Sequence, residues 1–207
     1  MKELLIIVLA SVLLIGCNKG KADLTITGVI NDQTHGTPLS GASVKLYSIE
    51  SGSQSTELLL TSTLGTDGVY TFTFPRDQVE GYKLLVEKTN YFTLEEIIQF
   101  GDLTIEEDNH YSYATTAKSW VKLTFQNTSP LPTDILDYNM VQGKSDCEGC
   151  HPAGTQSLIG AIDTSFVYLN DGNEYFSYYY NVIGGANSGT ETVTTDVFDT
   201  TEIILTY

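Results

Sequence analysis

The sequence predicts an all-β protein built from two β-sandwich domains. Three observations carry that reading. Short runs alternate apolar and polar residues with a period of two. Glycine, proline, asparagine and aspartate punctuate those runs at short intervals. No stretch shows a helical apolar period long enough, and capped well enough, to stand as a helix.

The chain opens MKELLIIVLASVLLIGC, with Lys2 ahead of an apolar run from Leu4 to Ile15. The run is shorter than the roughly 20 apolar residues a helix needs to cross a bilayer. It suits the apolar region of a secretory signal. The ending Leu14-Ile15-Gly16-Cys17 resembles a bacterial lipobox. That resemblance implies cleavage after residue 16, a diacylglycerol on the Cys17 thiol and an acylated Cys17 amine. Several acyl chains together anchor a protein stably, where a single chain does not. Residues 1–16 are therefore expected to be a lipoprotein signal peptide and 17–22 a tether. The mature chain is expected in a bacterial cell envelope, lipid-anchored at the outer membrane, with the exposed face left open.

The formal net charge is −16, from 26 acidic and 10 basic residues. Losing Lys2 and Glu3 together with the signal leaves that balance unchanged. Phosphate backbones are held by clustered Lys and Arg, so nucleic acid is excluded as a partner. The same charge argues against electrostatic attraction to anionic lipid; the membrane is met through the anchor.

Beyond the tether, Leu24 and Ile26 alternate with Thr25 and Thr27, and the run breaks at VINDQTHGTPLSG. Ala42, Val44 and Leu46 then share a face. LLLTSTLG follows, then the turn Thr66-Asp67-Gly68, then VYTFTFP with Tyr70, Phe72 and Phe74 on one side. KLLVEKTNYF is a further strand. LEEIIQFGDLTIEEDN spaces Leu94, Ile97 and Ile98 as a helix would, but Gly101 and the Ile- and Thr-rich continuation favour strands.

The segment TGVINDQTHGTPLSGASVKLY resembles the carboxypeptidase regulatory-like domain at Gly28, Val29, Asp32, Gly36, Pro38, Leu39, Gly41, Ala42, Val44 and Leu46. The turn Thr66-Asp67-Gly68-Val69-Tyr70 matches a later motif of that family with one spacer residue missing. The resemblance spans about residues 24–92. It implies a transthyretin-like β-sandwich of about seven strands that serves as a non-catalytic spacer or binding module. This first domain is expected over 23–117.

From residue 118 a second alternation begins, with Leu123 and Phe125 set against Lys122, Thr124 and Gln126. A long connection, roughly 127–155, is expected to be a loop. The runs IGAIDTSFVYLNDGN, EYFSYYYNVIGG and TEIILTY complete an all-β second sandwich over 118–207, with Asn170-Asp171-Gly172-Asn173 read as a hairpin turn. Taken together, the two halves resemble small lipoproteins of the Bacteroidetes type.

SDCEGCHPAG is the segment richest in chemistry. If lipidation consumes Cys17, Cys147 and Cys150 are the two remaining thiols, in a compartment where disulfides form and persist. A bridge across so few residues would hold the shape of one loop. The alternative is a c-type haem electron carrier: thioethers at Cys147 and Cys150, His151 as proximal ligand, and a distal ligand from His110, His35 or Met140. The disulfide is the preferred reading, with no cofactor. Zinc is the weakest of the three, because Cys-x-x-Cys-His does not readily place three ligands around one ion. His35 is expected as an exposed turn residue, and His110 follows Glu106-Glu107-Asp108-Asn109, read as a solvated acidic turn.

The cluster Tyr175, Phe176, Tyr178, Tyr179 and Tyr180 could stack on sugars. Alternation puts Phe176, Tyr178 and Tyr180 on a core face, leaving Tyr175 and Tyr179 as the outward pair and the candidate binding residues for a protein or glycan. No nucleophile elbow and no zinc-protease motif is present. Glu95-Glu96 and Glu106-Glu107 are neighbours on opposite strand faces, a poor geometry for glycoside hydrolysis. The function expected from sequence is a non-enzymatic, anchored binding or structural module.

Overall fold

The computed structural model describes residues 22–207 apart from Gln54, Glu148 and Ala186. The signal segment, Cys17 and the tether up to residue 21 lie outside the described residues. The chain is all-β, with its sheets forming β-sandwich domains around two separate hydrophobic cores.

The first core is covered by two sheets. One contains β1 (Asp23–Asp32), β2 (Thr37–Pro38) and β5 (Val69–Pro75), with β8 (Asn109–His110) and β9 (Tyr113–Thr115) running parallel to the other side of β1. The opposing sheet has the order β4 (Thr56–Thr63), β3 (Ser43–Glu50), β6 (Val79–Glu87), β7 (Leu94–Gln99). Six of these strands are long and three are short pieces, so the sandwich is close to the expected seven. Leu24, Ile26 and Ile30 of β1 face Val44 and Leu46 of β3 and Leu84 and Val86 of β6, and all are fully buried. Each such side chain contributes about 1.5–3 kcal/mol when taken out of water. Gly28 interrupts the buried row of β1 because the backbone at Tyr111 runs against it. A Cβ there would sit 1.7 Å from the Tyr111 carbonyl oxygen.

The second core lies between a three-stranded and a four-stranded sheet. The first has the order β13 (Asp163–Asp171), β10 (Lys118–Gln126), β16 (Thr200–Thr206), antiparallel on one side of β10 and parallel on the other. The second has the order β12 (Gln156–Ile159), β11 (Ile135–Gln142), β14 (Tyr175–Ile183), β15 (Ser188–Thr194). This core is aromatic. Phe125 lies 4.7 Å from Tyr138 and 5.9 Å edge-on from Tyr178, and Phe166, Tyr168 and Phe176 continue the cluster.

Three expectations are corrected. The connection 127–155 is not one loop, because β11 occupies its middle. Leu136 and Tyr138 point inward there while Asp137 and Asn139 face outward. Asn170–Asn173 is not a hairpin, because β13 and β14 belong to different sheets. The turn is held otherwise, with Gly172 N–H donating across the junction to the Ala117 carbonyl and Asn173 N–H donating within the second sandwich to that of Thr195. A Cβ on Gly172 would press on Val197 at 2.9 Å. The stretch after Gln99 does not continue as a strand; it turns through a 3-10 segment, Phe100–Asp102, and then loops to β8.

Candidate functional site at the junction of the sandwiches

Cys147 and Cys150 are joined by a disulfide. The loop they pin leaves β11, lies against the second sandwich and returns as β12. Its anchor is Cys150, which is buried and whose carbonyl accepts from Leu169 N–H at 3.2 Å, so the loop covers part of the β13 edge. His151 sets its two ring nitrogens 2.9 Å from the Lys144 carbonyl oxygen and 3.1 Å from that of Pro152. Both sulfurs are bonded to each other, and the space shared by His151 and Met140 is about 10 Å³, enough for one water at most. His35 and His110 belong to the first sandwich.

The same loop carries Lys144, whose side chain is only 12% exposed. Its ammonium lies 3.2 Å from Asp171, 3.0 Å from Asp146, and 4.6 Å from the centre of the Phe92 ring in the first sandwich. Asp171 in turn accepts a hydrogen bond from the Thr116 hydroxyl. One cation therefore ties the disulfide loop, the β13–β14 turn and the first sandwich together. The Lys144 hydrogen bond also holds the Asp146 carboxyl below its ordinary value, although Asp146 is mostly exposed.

A second brace stands beside it. The loop after β15 brings Phe198 onto Tyr91, at 5.5 Å between ring centres, and towards His35 at 6.2 Å. Phe198 takes a left-handed backbone conformation (φ 62°), and its N–H donates to the Lys118 carbonyl. Beneath it, buried Asp32 accepts from the Tyr91 hydroxyl at 2.7 Å and from the His35 backbone N–H at 3.1 Å, with the His35 ring 2.7 Å away. Burial alone would raise the Asp32 carboxyl. The hydrogen bonds from Tyr91 and His35 outweigh it and hold the group below the usual carboxylate value. Burial, and then the bond to Asp32, push the Tyr91 phenol well above its usual value. His35 is thus an exposed turn residue, as expected, but one tied to a buried carboxylate.

Two clefts open on either side of Lys144. One, of about 560 Å³, is lined by Gln33, Thr116, Asn170, Asp171, Glu174 and Tyr175 among others. The other, of about 420 Å³, reaches Phe92, Leu94 and Lys118. The alternation expected of the tyrosine run is present: Phe176, Tyr178 and Tyr180 are buried, while Tyr175 and Tyr179 are exposed. The outward pair does not form one platform. Tyr175 lines the cleft, whereas Tyr179 sits four residues along the strand, between Asn139 and Thr190 on the outer sheet face. Four residues along a strand is about 13 Å. Among the described residues, no group of three or more His, Cys, Asp or Glu is placed to hold a metal ion. Lys144 and Phe198 are the site residues that sequence reasoning missed. Both act through contacts with residues far away in the chain, and no local pattern marks them.

No protein-family model matches the sequence, and no curated protein does. Among solved structures, the neighbours include pilins of Gram-positive bacteria. The Bacillus anthracis TIE protein is 15% identical over 89% of this chain, with a TM-score of 0.38. A streptococcal ancillary pilin is 13% identical over 90% (TM-score 0.38), and a minor pilin of Streptococcus agalactiae is 13% identical over 88% (TM-score 0.36). This chain spans 34%, 63% and 94% of those three in turn.

Proposed function

We propose that this protein is a lipid-anchored component of a bacterial cell envelope, and that its two sandwiches act as a non-catalytic binding or structural module. On this reading Cys17 carries the acyl chains and the outer membrane holds them. The first sandwich is a carboxypeptidase regulatory-like domain, and a protein or glycan partner meets the junction cleft at Tyr175. The N-terminal run ending Leu14-Ile15-Gly16-Cys17 supports the anchor. The matched positions around Gly28, Pro38 and Gly68 support the domain assignment.

The observation that carries the reading is the doubly braced junction. Lys144 and Phe198 each join one sandwich to the other. Such bracing suits a body that presents a surface at a fixed angle, where preorganisation lowers the cost of binding. An exposed Tyr at the mouth of a polar cleft is a common recognition element.

The test is expression of the full chain with its own leader in a bacterial host. The membrane fraction is expected to hold a chain that starts at Cys17 with the mass of a diacylglycerol and an amide-linked acyl chain, and Cys17→Ser is expected to release it. An unmodified chain in the soluble fraction would refute the anchor. On a glycan array or against a candidate envelope protein, binding is expected to be lost in Tyr175→Ala and kept in Tyr179→Ala. The opposite pattern would remove the junction cleft from the account.

A further inference from the structure

The disulfide loop presents its two sulfurs unequally. Cys150 is 1% exposed and its carbonyl accepts from Leu169 N–H, so that half of the bridge is fixed in the second sandwich. Cys147 is half-buried and lines the cleft of about 420 Å³ that reaches the first sandwich. Gly149 between them is exposed in a left-handed conformation (φ 80°), and a Cβ there would meet nothing within 4 Å. The tip of the loop therefore has room to swing while Cys150 stays anchored. The bridge spans a sequence separation of 3. So short a crosslink removes little freedom from the unfolded chain, and the fold loses little when it opens.

The cleft beside Cys147 suits an anion on an apolar carrier. Lys118 and Lys144 line it with Asp146, two cations to one acid in a chain of 10 basic and 26 acidic residues. Both ammoniums lie over the Phe92 ring, at 5.4 and 4.6 Å from its centre. Lys144 is committed to Asp146 and Asp171, so Lys118 supplies the local excess of positive charge. Cationic surroundings favour a thiolate over a thiol. Phe92, Leu94 and Leu169 add apolar surface on which a peptide chain can rest.

We propose that Cys147–Cys150 is a thiol–disulfide exchange site that takes two electrons from an exposed pair of cysteines on a partner protein, with Cys147 as the sulfur attacked. The partner's first thiol loses its proton in the cationic cleft, and the thiolate attacks Cys147 Sγ. The bond between Cys147 and Cys150 breaks, a mixed disulfide forms at Cys147, and Cys150 Sγ leaves with the electron pair and takes up that proton. The partner's second thiolate then attacks its own sulfur in the mixed disulfide, and Cys147 leaves and is protonated in turn. The partner's dithiol becomes a disulfide, and the bridge of this chain becomes a dithiol with the same two electrons and two protons. The inference rests on the bridge and its cleft, and it does not depend on the anchor or on recognition at Tyr175.

The test follows the bridge of the full chain in millimolar reduced glutathione and, separately, in the dithiol peptide Ac-Leu-Cys-Gly-Gly-Cys-NH₂, with acid quenching, alkylation and mass mapping. Glutathione is expected on Cys147, with Cys150 as the released thiol, at least about tenfold over the reverse adduct. The rate is expected to stay constant in urea below the unfolding transition, because the bridge opens within the folded chain. Lys118→Gln is expected to slow both reagents several-fold, and Phe92→Ala to slow the peptide more than glutathione. Of the single-thiol variants, Cys150→Ser is expected to react with an aromatic disulfide reagent at least about tenfold faster than Cys147→Ser. Adducts shared equally between the two sulfurs, a bridge reduced only in step with unfolding, rates untouched by Lys118→Gln, or equal reactivity of the two single-thiol variants would overturn the proposal. Equal slowing of both reagents by Phe92→Ala would overturn the assignment of a protein partner.

Discussion

The two sandwiches share a fold class and differ in what holds them. The first packs aliphatic side chains against a few tyrosines and buries one ionised carboxylate, Asp32, in a hydrogen-bonded node. The second packs a contiguous aromatic cluster with no buried acid among the described residues, and closes one side with a disulfide-pinned loop. The comparison teaches that the same architecture can be made specific in two ways. A satisfied buried charge accepts only one arrangement of its donors, whereas interlocking rings accept only one packing. The two solutions should respond to different perturbations.

The largest expected effect is on the ring cluster. Phe125→Ala should cost about 3–5 kcal/mol, read by urea unfolding followed at Trp120, the chain's single tryptophan, which lies in the second sandwich. A loss below about 1 kcal/mol would show that the rings are not the core's main support. Next comes the node in the first sandwich. Asp32→Ala should cost about 2–3 kcal/mol through lost charge-assisted hydrogen bonds and orphaned donors.

The pH response of that node follows from its sign. The folded Asp32 carboxyl lies below its unfolded value of about 3.9. Its contribution is therefore fully present above that unfolded value and is lost as pH falls from there through the folded value. Asp32→Asn should flatten this part of the stability–pH curve without altering the response of the second sandwich. An unchanged slope would contradict the node.

Smaller effects test the loop and the brace. The disulfide closes a loop of sequence separation 3, so Cys147→Ser/Cys150→Ser should cost at most about 2 kcal/mol, with amide shifts confined to the loop and the β13 edge. Lys144→Met keeps the stem over Phe92 and removes the charge. It should cost about 1 kcal/mol, because one of its two carboxylate partners is mostly exposed. Its clearer signature should be separation of the two unfolding transitions, read by Trp120 fluorescence against far-ultraviolet circular dichroism.

The first sandwich was more legible in the sequence than the second. Its strands alternate strictly, and its turns are marked by glycine and proline where the chain changes sheets, as at Asp67-Gly68. In the second, β11 alternates just as well, with Leu136 and Tyr138 inward, but Pro130, Pro132 and Asp134 ahead of it read as loop. Asn170–Asn173 has the composition of a hairpin turn, yet composition cannot show that the two flanking strands enter different sheets. The cysteine pair was legible because Cys147 and Cys150 stand close in sequence with Gly149 between them, which lets a tight loop close. The role of Lys144 was not, because its partners Phe92, Thr116 and Asp171 are set by tertiary folding.

The claim on which the rest depends is that the two sandwiches form one braced body. Residual dipolar couplings of backbone amides in a weakly aligning medium test it most directly. Couplings from residues 23–117 and 118–207 are expected to fit a single alignment tensor of one magnitude and orientation, and to diverge in a Lys144→Met/Phe198→Ala variant. Two unrelated tensors in the wild-type chain would contradict it.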